Sequence, residues 1–229
     1  MDKKKNLVVF CAHPDDEVIG CGGSILYYKK KLGYKVNVVF FTDGETSRNF
    51  KSPTKKKIKI GQRRLSSKNA AKILKIDNIH QLNYSDNELD KYTNLVLTRE
   101  VENILSKYQP DTIFTHSDKD LNIDHQLVNR AVQTAARSSG KNFIKNIFAF
   151  EISSSTNSLK GKDNFNPNMY IDISIFIEQK KKALNQYSNQ FKKYPNQLSI
   201  KSIINLNKCR GSEMCRKFCE AFEVLRILK

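Results

Sequence analysis

Five short apolar runs between residues 6 and 152 are separated by four segments whose apolar residues recur at helical spacing, and few folds accommodate that rhythm. NLVVFCA (6–12) is apolar throughout, as a strand buried on both faces must be. VIGCGGSILYYKKKLG (18–33) has helical spacing and a glycine, Gly33, where a helix stops. YKVNVVFFT (34–42) reads as a second strand, so the pair should be parallel with a helical crossover. The alternation continues through helix 62–76, strand 78–84, helix 92–108, strand 111–116, helix 125–140 closed by Gly140, and strand 146–152. An α/β domain with a largely parallel sheet is the expectation. After residue 152 the texture changes to a long polar loop, SSSTNSLKGKDNFNPN (153–168). A short strand YIDIS, a helix over 173–187, a helix after Pro195 and a closing strand AFEVLRIL complete the chain.

Composition narrows the reading further. A chain of 229 residues, 39% of them hydrophobic, can bury one substantial core, so a single domain spanning 1–229 is expected. No apolar run approaches the roughly 18 residues of a membrane span, and MDKKKNLVVFCAHPDD lacks the apolar stretch of a signal peptide. A cytoplasmic protein is the expectation. Five scattered cysteines do not suggest a disulfide framework, and Cys209, Cys215 and Cys219 lack CxxC spacing and a nearby histidine. The formal charge of +17 points to nucleic acid, an anionic membrane or a phosphorylated substrate, or to nothing more than a solvated surface. Lysine supplies most of it along the whole chain, which favours the solvated surface. The densest run, KSPTKKKIK (51–59), contains Ser-Pro and reads as a mobile basic loop without the interleaved aromatics that bind single strands, so nucleic acid is not an expected partner.

Chemistry gathers where strands end. In open α/β sheets, ligands bind at the carboxyl edge of the strands. His13 follows the first strand, His116 closes DTIFTH, and His125 opens the next helix, whereas His80 falls inside a strand and reads as packing. His13, Asp16 and His125 would supply two imidazoles and a carboxylate, a set that suits zinc or another divalent ion and leaves a position open for water. Asp15 would stand beside the metal as a base, since coordination lowers the pKa of water from about 16 to about 7. The plainer reading of HPDDE is a helix cap with acids complementing the dipole, and Glu17 is given no other task.

These stretches resemble a family. AHPDDE after an apolar strand, TDGE at 42–45, THSDKDLNIDH at 115–125 and the closing EAF at 220–222 are similar to the PIG-L/LmbE-type zinc-dependent N-deacetylases, over nearly the whole chain. The resemblance implies a Rossmann-like fold, a mostly parallel central sheet with helices on both faces. It also implies hydrolysis of an N-acetyl group from an amino sugar or its carrier-linked conjugate. It assigns His13, Asp16 and His125 to zinc, Asp15 to general base catalysis, Arg63 to substrate contact with Arg64 as the alternative, and Asp86 to sugar hydroxyls. The chain departs from the family where many members have HxDH, because Asn122 stands in place of the first histidine. Asn can donate to an oxyanion but cannot transfer a proton. Asp15, His116 and Asp120 are the candidates for the acid, and Asp124 reads as fixing an imidazole or the loop. Asn196, in YPNQLS, stands at a second family histidine's place, and EISSST (151–156) resembles a segment beside the active site. Two rival readings remain: a sugar-binding relative that has lost turnover, and a basic polyanion-binding protein. Oligomeric state is not legible.

Overall fold

Strand β1 (Asn6–Cys11) is six buried residues whose side chains alternate between the two faces of a sheet. Around it the computed structural model, which describes residues 5–138, 143–156 and 164–228, arranges α1 (Asp16–Lys31), β2 (Lys35–Thr42), α2 (Pro53–Leu74), β3 (Asn78–Tyr84) and α3 (Asn94–Tyr108). There follow β4 (Thr112–His116), α4 (Ile123–Ala135), β5 (Asn146–Phe150), β6 (Met169–Asp172), α5 (Ile177–Asn185), α6 (Ile200–Glu213) and β7 (Cys219–Ile227). The sheet has the order β3-β2-β1-β4-β5-β7-β6. Its first five strands run parallel, Leu7 pairing with Val36 on one side and Thr112 on the other. β7 is antiparallel to both β5 and β6. The expected mostly parallel α/β sheet is present, with an antiparallel pair closing one edge.

The alternation along β1 divides the core. Leu7, Val9 and Cys11 face a layer that includes α1, α5 and α6, with Val18, Ile25, Leu184 and Ile203 packed together. Val8, Phe10 and Ala12 face α3 and α4, against Leu97, Val101, Val128 and Val132. From β1 the chain steps outward through β2 and β3, then returns to β4 on β1's other side. That reversal opens a crevice at the carboxyl ends of β1 and β4.

Two glycines let α1 lie close to its neighbours. A Cβ at Gly20 would stand 2.3 Å from the Phe150 ring, and one at Gly23 would stand 2.6 Å from Ile173. α1 is also broken at Cys21, whose φ of −143° is not helical. The freed N–H groups of Gly23 and Ser24 donate to the carboxylate of Glu220 at 2.9 and 2.7 Å. Lys180 fills the other side of the break, donating to Ile19 O at 2.9 Å and to Glu220 Oε1 at 2.6 Å. An inserted, fully buried ion pair is thus the cause of the kink.

Three expectations need correction. The basic stretch 51–59 is no loop: α2 begins at Pro53, nine residues before the helix predicted at 62. Ser52 is its N-cap, accepting from Lys55 N at 3.2 Å, and Pro53 occupies the first turn, where a missing N–H does no harm. α4 ends at Ala135, short of the predicted 140, and Gly140 lies outside the described residues. The helix predicted over 173–187 starts with a 3₁₀ turn, Ser174–Phe176, before α5.

Candidate active site

A cavity of ≈ 230 Å³ opens at the crevice between β1 and β4, and His13, Asp15, Asp16, Arg63, Asp86, Asn122 and His125 are all on its wall. His116 and Asp120, the other two candidates, are not. His13 Nδ1, Asp16 Oδ2 and His125 Nε2 converge on one point. The two nitrogens are 3.1 Å apart, and Asp16 Oδ2 is 3.4 and 3.6 Å from them. Two imidazole nitrogens and a carboxylate oxygen at that spacing repel as lone pairs unless a proton or a cation lies between them. A tetrahedral ion with bonds of about 2.0–2.1 Å needs donor atoms about 3.3–3.4 Å apart. The three residues therefore fit a divalent metal, with the cavity side left open.

Both imidazoles are held from behind. His13 Nε2 faces Asp124 Oδ2 at 3.3 Å and Asp86 Oδ1 at 3.1 Å. Asp124 in turn accepts from the backbone N–H groups of Asn87 and Leu89 at 2.8 and 3.1 Å, so one carboxylate fixes both the imidazole and the loop after β3. His13, Asp86 and Asp124 form a second set close enough to hold a cation. Asp124 is occupied by amides and Asp86 by Ser47, however, so the set is better suited to orienting His13. Behind His125, Asp120 Oδ2 sits 3.1 Å from Nδ1, at a bent angle, and accepts from Ser155 and Thr156 at 2.9 and 2.6 Å. His116 stacks on the His125 ring with centroids 3.9 Å apart, and its Nε2 accepts from Ala12 N at 3.0 Å. Burial lowers His116 to about 4, so this ring stays neutral and structural in its surroundings.

Asp15 occupies the junction between β1 and α1 with φ 132°, a conformation L residues adopt only under constraint. Its side chain makes no helix-capping bond. Instead Oδ2 meets Arg63 Nη2 at 3.1 Å, both side chains being buried. Burial pushes Asp15 up to about 6 against the opposing pull of Arg63. Arg63 comes from the middle of α2 rather than its start, and its Nε and Nη1 are buried without a partner. Gly44 makes room for it, since a Cβ there would stand 3.0 Å from Arg63 Nε. Arg64, the alternative, points elsewhere and donates to Asn83 Oδ1.

Asn122 caps α4. Its Oδ1 accepts from Asp124 N at 2.8 Å and its Nδ2 donates to Asn87 Oδ1 at 3.2 Å, leaving one amide N–H. Ile152, Ser154 and Ser155 of EISSST reach the cavity, as does Leu198, while Asn196 turns back to accept from Leu198 N. Glu17 is the residue that sequence reasoning misjudged. It is buried, accepts from Asp15 N at 2.9 Å through Oε2 and from Tyr187 Oη at 2.8 Å through Oε1. No local signal distinguishes it from an ordinary first-turn acid. Ser47, Arg48 and Asn87 are further wall residues without a motif of their own.

An α/β protein with a buried His/Asp cluster, able to hold a metal at the sheet's topological reversal, is the class that this geometry defines. The PIG-L family model, described as GlcNAc-PI de-N-acetylase, matches residues 8–136, and the chain belongs to this family. It is 28% identical over 141 residues, 59% of its length and 70% of the relative's, to the uncharacterized deacetylase YaiS of Escherichia coli K12. It is 23% identical over 195 residues to the probable N-acetyl-α-D-glucosaminyl L-malate deacetylase 2 of Bacillus anthracis, covering 83% of this chain and 84% of that one. Among solved structures, the N,N'-diacetylchitobiose deacetylase of Pyrococcus horikoshii is 25% identical with a TM-score of 0.79 over 98% of this chain and 84% of that one. The 4-carboxy-2-hydroxymuconate hydratase GalB of a Pseudomonas matches the fold as well, with a TM-score of 0.79 over 98% of each chain at 19% identity. The fold alone therefore does not decide the reaction.

Proposed function

We propose that this protein is a metal-dependent hydrolase that removes the N-acetyl group from an N-acetylated amino sugar or its conjugate. The observation that carries the proposal is the convergence of His13 Nδ1, Asp16 Oδ2 and His125 Nε2, 3.1 to 3.6 Å apart, beside the Asp15 carboxyl on one cavity wall. Relatives named as deacetylases of N-acetylglucosaminyl-malate and of diacetylchitobiose support the amino-sugar class. Zinc is the proposed ion; when bound it polarises the amide carbonyl and acidifies a water.

The chain's own residues do the rest. Asp15 takes a proton from the attacking water as its oxygen bonds to the amide carbon. Burial holds Asp15 at about 6, close enough to neutrality for a base that must also give the proton back. As the C–N bond breaks, that proton passes to nitrogen, releasing an amine and acetate. Asp15 is the proposed acid as well as base, because Asn122 has no proton to transfer, His116 lies off the cavity wall, and Asp120 is saturated by the hydroxyls of Ser155 and Thr156 and the backbone N–H of Asn122. The free amide N–H of Asn122 is proposed to donate to the carbonyl oxygen as charge builds there. Arg63, with two unpartnered buried nitrogens, and Asp86 are the proposed contacts to the sugar.

The test is metal content of the purified protein by mass spectrometry, wild type beside Asp16→Ala, together with acetate release from N-acetylglucosamine and N,N'-diacetylchitobiose. Near-stoichiometric zinc in the wild type, lost in the variant together with acetate release, is the expected result. Sugar binding without acetate release would replace the hydrolase with a binding relative. A wild type that takes up no zinc would remove the metal reading.

A further inference from the structure

The residues between Glu45 and Asp77 hold eleven Lys or Arg and no Asp or Glu, so the positive charge is concentrated rather than spread. This stretch contains the whole of α2, which turns Arg63, Ser67, Ala70, Ala71 and Leu74 inward. At 100° per residue, Ile58 and Leu65 lie on the opposite face, seven positions apart, and they are 53% and 59% exposed. Lys57, Arg64 and Lys68 flank that pair on one side of the helix, Lys55 and Lys59 on the other. Lys55, Lys57 and Lys59 form no ion pair among the described residues.

Stability does not account for this arrangement. Lys55 and Lys56 stand in the first turn, where the helix dipole favours acids, and the turn has none. Two large aliphatic side chains at the apex of a cationic face gain nothing from water. Nor does nucleic acid explain them, because phosphate contacts call for charge and stacking contacts for aromatics, and this apex carries aliphatics. A surface that is anionic outside and apolar beneath satisfies both features at once.

We propose that the outer face of α2 docks on an anionic phospholipid surface, with Ile58 and Leu65 entering the headgroup layer and the surrounding lysines pairing with lipid phosphates. The face is continuous with the cavity mouth. A groove of ≈ 520 Å³ walled by Arg48, Lys51 and Lys56 shares Arg48 with the cavity, and a second of ≈ 440 Å³ shares Lys56 with the first and continues to Lys57 and Arg64. Docking here would bring the mouth to the membrane surface. The proposal does not depend on the hydrolytic reading.

Sedimentation of the full chain with vesicles tests it at near-physiological salt, about 0.15 M. The vesicles are phosphatidylcholine alone, and phosphatidylcholine with about one-third phosphatidylglycerol. Partition onto the anionic vesicles only is expected, weakened at least about tenfold by Lys55→Glu/Lys57→Glu/Lys59→Glu and several-fold by Ile58→Ser/Leu65→Ser. These residues are outside the cavity, so metal content and acetate release from a soluble sugar should stay at the wild-type level. Equal partition onto both vesicles, no partition, or full binding by both variants would overturn the proposal. So would capture by duplex DNA in preference to anionic vesicles at the same salt.

Discussion

Two helices start side by side at the carboxyl edge of the sheet, and they begin in opposite ways. α4 follows β4 with Asn122 in an extended conformation, φ −73° and ψ 122°, its side chain accepting from Asp124 N. α1 follows β1 with Asp15 at φ 132° and no side-chain cap. The three acids of HPDDE could each have capped α1, and none does so in the ordinary way. Asp15 faces Arg63, Asp16 accepts from His13 N at 2.7 Å and faces the rings of His13, His116 and His125, and Glu17 reaches back to Asp15 N. Thus α4 keeps its local stability and contributes His125 from its first turn. At α1 local stability is exchanged for two carboxylates turned toward the cavity, and the backbone is held from below by Glu17 and the buried Tyr187. A strained backbone of this kind costs about 1–3 kcal/mol and persists only where its surroundings enforce it.

The largest expected contrast between the two helix starts is in turnover. Asp15→Asn should lower acetate release by about 10²–10⁴ while leaving metal bound, because proton transfer is lost and the three donor atoms are untouched. It also leaves the buried Arg63 without its carboxylate, so the melting temperature should fall, and activity must be normalised to folded protein. Turnover at the wild-type rate would return Asp15 to a structural role. The strain itself is tested by comparing Asp15→Gly with Asp15→Ala in denaturant titrations. Both lose the carboxylate, but glycine adopts positive φ freely, so the Gly variant should be more stable by about 1 kcal/mol.

Next in size is the support beneath α1. Glu17→Ala strips two buried donors, Asp15 N and Tyr187 Oη, of their acceptor, and should destabilise the fold by about 2–4 kcal/mol. Glu17→Gln keeps an acceptor for Asp15 N and a group able to bond Tyr187. Burial pushes Glu17 up to about 8, so the uncharged amide is a close match to its state at neutral pH. Near-wild-type stability and kcat are expected of it. An alanine variant as stable as the glutamine one would show that the strained turn holds itself.

How much of this was legible follows from how far apart the cooperating residues lie. The strands NLVVFCA, KVNVVFFT and TIFTH declare themselves because both faces of a central parallel strand are buried, and their edges then point to His13, Asp16 and His125. The start of α2 is obscured because Ser-Pro and a lysine run look like a loop, although Ser at the cap and Pro in the first turn are a helix signal. Glu17 could not be placed from sequence, since Tyr187, its partner, is 170 residues away. The pairing of Asp124 with His13 rather than with its neighbour His125 was hidden for the same reason, the two being 111 residues apart.

The smallest effect is expected at α4, where two functions of one side chain can be separated. Asn122→Ala removes the cap and the amide donor together and should cost about 1 kcal/mol of stability with roughly a tenfold loss of turnover. Asn122→Ser keeps a cap but its hydroxyl is too short to replace Nδ2 on the far side of the amide. It should hold wild-type stability in denaturant titrations while losing as much turnover as the alanine variant. Recovery of turnover in Asn122→Ser would make Asn122 a cap alone, and the two helix starts would then differ in kind, one carrying chemistry and the other only holding His125 in place. Equal loss in both variants would make them alike in function, differing only in that α4 meets its task without strain.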